Sequence, residues 1–190
     1  MFRSVLAFSA ALFLPALAQA QDMSLRDAIK ADYEENLADL FVWFHQNPEL
    51  SLVETNTAKR LAAEIRSLGY EVTEGVGGTG IVAVLENGDG PTVLVRADMD
   101  GLPIKEQSGL SYASTAMQVD FDGIEKPVMH ACGHDVHITS LVGTARQLMA
   151  RKDQWQGTLV LIGQPAEERI SGARNMINDG LYTRFPKPDY

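Results

Sequence analysis

Three histidines and the chain's only cysteine fall within eight residues, His130-Ala-Cys-Gly-His-Asp-Val-His137. Thiolate and imidazole are the soft and borderline ligands that hold zinc and its neighbours, so the segment reads as a metal-binding loop. If it is extended, Cys132 and His134 project to the same side and one ion takes both. Two ligands do not make a site, and the acidic pair Glu167-Glu168 in Gln-Pro-Ala-Glu-Glu is the best candidate to complete it. Metal-assisted hydrolysis needs ligands, an open position for water, and a carboxylate that takes the water's proton and returns it to the leaving amine. Adjacent glutamates can divide that labour, one on the metal and the other free as base.

Each of these residues also has a plainer reading. Glu167-Glu168 fits a solvated acidic pair at the start of a helix, Cys132 a small buried residue, and His130 and His137 ordinary polar positions in a loop and at a helix end. Asp98 and Asp100 fit strand-ending turn formers, with a place beside the metal as the alternative for Asp100. His45, just before Asn47-Pro48, is most simply a helix C-terminal residue favoured by the dipole.

The elements that must position these groups follow from the spacing of apolar residues. Ser24-Leu-Arg-Asp27 resembles a capping box, and Leu25, Ile29, Leu37, Leu40, Phe41 and Phe44 continue with helical spacing to about His45. A second capping box, Ser51-Leu-Val-Glu54, is expected to open a helix with Ala58, Leu61, Ala62, Ile65 and Leu68 on one face, ended by Gly69. The period then shortens to that of strands at 71–74, 80–85 and 92–97. Asn87-Gly-Asp-Gly90 between the last two predicts a hairpin, with 92–97 central in the sheet and Asp98-Met-Asp100 at its C-terminal end. The stretch 102–127 lacks strong periodicity. Ile138 to Ala150 is helical, 157–163 is a strand ending at Gln164-Pro-Ala-Glu-Glu168, and a short helix follows Gly172. Strand, ligand-rich loop, helix and strand form a βαβ unit whose parallel strands carry Asp98, Asp100, Glu167 and Glu168 to one edge of the sheet.

At the N terminus, Arg3, the apolar run Val5 to Leu17 and Ala18-Gln19-Ala20 predict a secretory signal over residues 1–20, and therefore a periplasmic or secreted product. No second apolar run is long enough for a membrane helix, so no membrane association is expected after cleavage. The remaining 170 residues suit one domain, and a hydrophobic fraction of 45% fits a globular core. A net charge of −9 with no basic patch argues against nucleic acid and for a small-molecule substrate. In an exported protein the lone Cys132 has no internal disulfide partner, and its histidine neighbours favour metal.

Arg96-Ala-Asp-Met-Asp-Gly-Leu-Pro103, Met129-His-Ala-Cys-Gly-His-Asp-Val-His137 and Gly163-Gln-Pro-Ala-Glu-Glu168 together resemble the hippurate hydrolase branch of the aminoacylase and carboxypeptidase-like metallopeptidases, which includes the indole-acetyl-amino-acid amidohydrolases. His45-Gln-Asn-Pro-Glu-Leu-Ser51 and Gly75-Val-Gly-Gly-Thr-Gly80 fit the same family in the same order. The resemblance implies a three-layer α/β fold, a mixed sheet with helices on both faces. It also implies two divalent ions of zinc or manganese type, with cobalt and nickel as further candidates. Cys132, His134 and Glu168 would be ligands, Glu167 the general base, and Asp100 the carboxylate beside the metals. Hydrolysis of an N-acyl amino acid is the implied activity. A dipeptidase or carboxypeptidase of the same superfamily and a non-catalytic metal-binding fragment are the alternatives. Family members are roughly twice this length, with two further histidine ligands and a small dimerisation domain. Residues 21–190 are therefore expected to be the N-terminal part of a catalytic domain, truncated, with weak metal binding and little turnover as given.

Overall fold

The computed structural model describes residues 24–190, so the expected leader at 1–20 lies outside the described residues. Ser24 caps the first helix as its sequence predicts, its side chain accepting the Asp27 N–H. Helix α1 (Leu25–Asp32) passes through a π turn (Tyr33–Leu37) into α2 (Ala38–Gln46). The wide turn rephases the helix, so that Leu37, Leu40 and Phe44 of the second half face the core while Leu25 and Ile29 stay half exposed.

The second predicted cap is corrected. Helix α3 (Thr55–Ser67) begins after Glu54, and the Ser51 hydroxyl instead donates to Asp100 Oδ2 at 2.6 Å, 49 residues away. Of the predicted apolar face, Ala58, Leu61, Ala62 and Ile65 are buried, while Leu68 follows the helix as its C-cap and is only partly buried.

Four strands, β1 (Glu71–Val76), β2 (Gly80–Asn87), β3 (Thr92–Asp98) and β6 (Gly157–Gln164), form a mixed sheet in the order β1-β2-β6-β3. β2 is antiparallel to both β1 and β6, and β3 is parallel to β6. The hairpin predicted at 87–90 is therefore overturned, because β6 lies between β2 and β3. The physical reason is burial. The interior of β6, Leu159 to Ile162, is apolar on both faces and covered, whereas β3 is only partly covered from Thr92 to Arg96 and leaves Val93 and Arg96 exposed, so β6 takes the centre and β3 flanks it. Asn87 helps to hold that arrangement, donating to the carbonyls of Lys152 and Trp155 just ahead of β6. On its other side β3 bonds Asp189 and Tyr190 through backbone groups, the Leu94 N–H reaching Tyr190 O at 2.9 Å.

Helices α2, α3 and α4 (His134–Ala150) pack on one face of the sheet around Phe44, Leu61, Ile65, Ile138, Leu141 and Leu161. The short α5 (Gly172–Asn178) and α6 (Leu181–Arg184) cover Val82, Val160 and Ile162 on the other. This is the expected three-layer α/β arrangement. The aperiodic stretch holds a small hairpin the sequence reading missed, β4 (Met117–Val119) with β5 (Glu125–Pro127). Gln118 points inward from it to the Leu50 N–H at 2.6 Å, while Met117 and Val119 face outward, which inverts the usual alternation and hides the strand signal. Among the described residues no helix is long and apolar enough to cross a membrane.

Candidate metal centre

The register of the central pair sets the site. Asp98 lies opposite Gln164 in the parallel β3–β6 ladder, so the chain leaving β3 and the chain leaving β6 emerge side by side at the C-terminal edge of the sheet. Asp100, 1% exposed, is where they join. Its Oδ1 accepts the Glu167 N–H and its Oδ2 the Glu168 N–H, both at 3.0 Å, and Oδ2 also takes the Ser51 hydroxyl. Burial alone would raise the Asp100 carboxyl, but the contacts from His134, Ser51 and the two amides outweigh it and hold the pKa below the usual range.

The Glu167-Glu168 pair sits in a turn. It does not begin a helix, since α5 starts only at Gly172. Gly172 is obligatory there, because a Cβ would fall 1.5 Å from the Pro165 carbonyl oxygen. From behind, Glu54, fully buried, accepts the Ala166 N–H at 2.7 Å and the Leu52 N–H at 3.0 Å. Among the described residues three non-glycines have positive φ, and all border this region: Leu52 (73°), Ala166 (47°) and Ile170 (54°). Backbone strain of that kind collects where a site dictates geometry.

The histidine loop is not extended as the sequence reading supposed. It turns through Gly133 (φ 80°), and His134 is the first residue of α4. His134 is buried, with Nδ1 2.7 Å from the Asp100 carbonyl oxygen. A carbonyl only accepts, so Nδ1 carries the proton and Nε2 is left to face acidic groups. Asp98 Oδ1 is 3.6 Å from Nε2, Glu167 Oε2 3.8 Å and Glu168 Oε1 3.9 Å. Burial pulls the imidazolium down, but the bond to Asp100 and the charge of Asp98 outweigh it, so the His134 pKa is raised.

Two sets of ligand atoms lie within 4.8 Å of one another among the described residues: His134, Glu167 and Glu168, and Asp98, His134 and His137. Cys132 stands in neither set. Its thiol is exposed, and the neighbouring Glu168 carboxylate first, then burial and the charges of Glu167 and Asp100, push its pKa up to about 11. The residues fit a divalent cation on two grounds. Glu168 Oε1 is a buried oxygen with no hydrogen-bond partner, and His134 has its tautomer fixed by a backbone carbonyl while its free nitrogen faces carboxylates.

Four groups went unassigned in the sequence. Asp98 accepts from His137 Nδ1 at 2.6 Å and from Arg96 at 2.9 Å, and the His134 and His137 rings stack 5.6 Å apart. His45 is no simple helix-end residue, since its ring bonds Asp135 and Glu106. His130 is buried with both ring nitrogens unpartnered, and burial pushes its pKa down to about 4. The shared signal for these was repetition of the histidine and acid types near the motifs; direction was invisible.

With this geometry in view, kinship decides the class of site. The model of Peptidase family M20/M25/M40 matches residues 94–190, which carry Asp98 through Glu168. The chain belongs to this peptidase family. It is 44% identical over 142 residues to a hippurate hydrolase of Campylobacter jejuni, covering 74% of this chain and 34% of that protein. It is 42% identical over 167 residues to thermostable carboxypeptidase 2 of Saccharolobus solfataricus, covering 84% and 40%. The crystal structure of the Bacillus subtilis YXEP protein, a dinuclear metal binding peptidase from the M20 family, superposes with a TM-score of 0.70 at 36% identity, over 80% of this chain and 40% of that one. The chain thus spans between a third and two fifths of the length of these M20 relatives.

Proposed function

We propose that this M20 protein contributes the metal-binding half-site of an amidohydrolase that cleaves N-acyl amino acids of the hippurate type. The observation that carries this reading is the convergence of His134 Nε2 with Glu167 and Glu168 at the edge where β3 and β6 end. Divalent ions held by Cys132, His134 and Glu168 would supply Lewis acidity and a water of lowered pKa. Glu167 would take a proton from the attacking water as a C–O bond forms at the acyl carbon, and give it to the amine nitrogen as the C–N bond breaks. Asp100 holds the turn that aims both glutamates, through its bonds to their N–H groups.

The test is release of glycine from hippurate by the zinc-loaded full-length protein, abolished by chelation, against a panel of dipeptides. Faster cleavage of dipeptides or of C-terminal peptide bonds would favour the carboxypeptidase reading, which the 42% identity to a thermostable carboxypeptidase supports. Replacing Cys132 by serine exchanges a soft sulfur for a hard oxygen and should weaken zinc binding by roughly ten- to a hundredfold. Unchanged zinc stoichiometry and affinity would return Cys132 to an exposed thiol without a ligand role. Export to the periplasm or medium is also part of the proposal, supported by Arg3, the run Val5 to Leu17 and Ala18-Gln19-Ala20. A mature protein that still began at Met1 would remove it.

A further inference from the structure

His45 lies in the last turn of α2, yet its ring nitrogens bond nothing on its own helix. Nδ1 lies 2.7 Å from Asp135 Oδ2, 90 residues away, and Nε2 lies 3.1 Å from Glu106 Oε1, 61 residues away. All three side chains are buried, and the Tyr112 ring stands edge-on to the imidazole at 5.2 Å. One rigid ring therefore ties three separate parts of the chain: the end of α2, the loop after β3 and the first turn of α4. Asp135 directly follows His134, and its second oxygen accepts the Val136 N–H at 2.9 Å, within that same turn. Gly133 at the N-cap has no side chain to cap the turn, so beside the His134–Asp100 and His137–Asp98 contacts it is Asp135 that anchors it on the α2 side.

We propose that His45 is a positioning residue for the metal centre. By gripping Asp135 it sets the rotation of the first turn of α4, so that His134 keeps Nδ1 on the Asp100 carbonyl and presents Nε2 to Glu167 and Glu168. The inference rests on the metal reading above for its purpose, though the grip itself does not. Only histidine places two nitrogens on opposite sides of one flat ring; glutamine at this position reaches one carboxylate and abandons the other.

The other half of α4 supplies a control. Asp32 accepts Arg146 Nε at 2.7 and 3.0 Å and Gln147 Nε2 at 3.0 Å, a partly buried tie far from His134. His45→Gln and Asp32→Asn, each in the full chain, should both lower Tm. His45→Gln alone should raise amide exchange at Val136 and His137, whose N–H groups bond Gly133 O at 3.0 and 3.2 Å. It should also weaken zinc binding about tenfold, as loss of a residue supporting a ligand does. Glu106→Gln, which keeps its size, is the milder second variant should His45→Gln fail to fold, and should show the same local pattern. The proposal is overturned if exchange rises uniformly along α4, or if Asp32→Asn weakens zinc as much as His45→Gln does. Should the unaltered chain bind no zinc, the metal reading fails, while the exchange pattern at Val136 and His137 still decides whether His45 holds the turn.

Discussion

Glu167→Gln should remove about a thousandfold of the turnover on an N-acyl amino acid, some 4 kcal/mol in the barrier, while zinc content stays as it was. Glutamine matches glutamate in size but cannot take a proton from water. The backbone is not disturbed, because what Asp100 Oδ1 holds at this position is the main-chain N–H at 3.0 Å and not the side chain. The Glu167 side chain is 42% exposed, more than twice Glu168, as suits a group that must exchange protons with water. Parallel elemental analysis and kinetics would check this. Zinc lost together with activity would make Glu167 a ligand, and surviving activity would move the base elsewhere.

Asp100→Asn should cost stability as well as zinc. The carboxylate accepts from three donors, the N–H groups of Glu167 and Glu168 and the hydroxyl of Ser51, in a site closed to water. An amide offers one oxygen and turns an NH2 toward donors, so at least one buried N–H loses its acceptor. The expected loss is about 3 kcal/mol, on the order of 10 °C in Tm. The sign with pH follows from the lowered pKa of Asp100. Its contribution is complete above the unfolded value near 4 and fades as pH falls through the folded value. The gap between the two proteins in denaturant titrations should therefore be widest at neutral pH and narrow below about pH 4. A constant gap, or none, would mean that the turn bearing Glu167 and Glu168 does not depend on this carboxylate.

Most of the elements were legible in the chain, and for a local reason. Helical and strand periodicities record which faces each segment buries, so α2, α3, α4, β2 and β6 were located by Phe44, Leu61, Ile138, Val82 and Leu161 within a few residues. The strand order was not legible. The 87–90 turn carries a hairpin's residues, yet β6, 70 residues on in the chain, outcompetes β3 for the edge of β2 because it can be buried on both faces. Ser51-Leu-Val-Glu54 has the types of a capping box, and both side chains are spent instead on the site, on Asp100 and on the amide of Ala166.

What the sequence determined by itself was chemical: a thiol, an imidazole and paired carboxylates in three short motifs, carried by strand ends that a parallel βαβ unit must bring to one edge. Ligand type and strand direction are properties of short segments, so they could be read. Tertiary structure alone decided which way the groups point. It put His134 on the first turn of a helix with Nδ1 on the Asp100 carbonyl, set Asp98 against His137, and clasped His45 between Asp135 and Glu106. Those orientations depend on partners 34 to 90 residues away, and spacing along one segment carries no record of them.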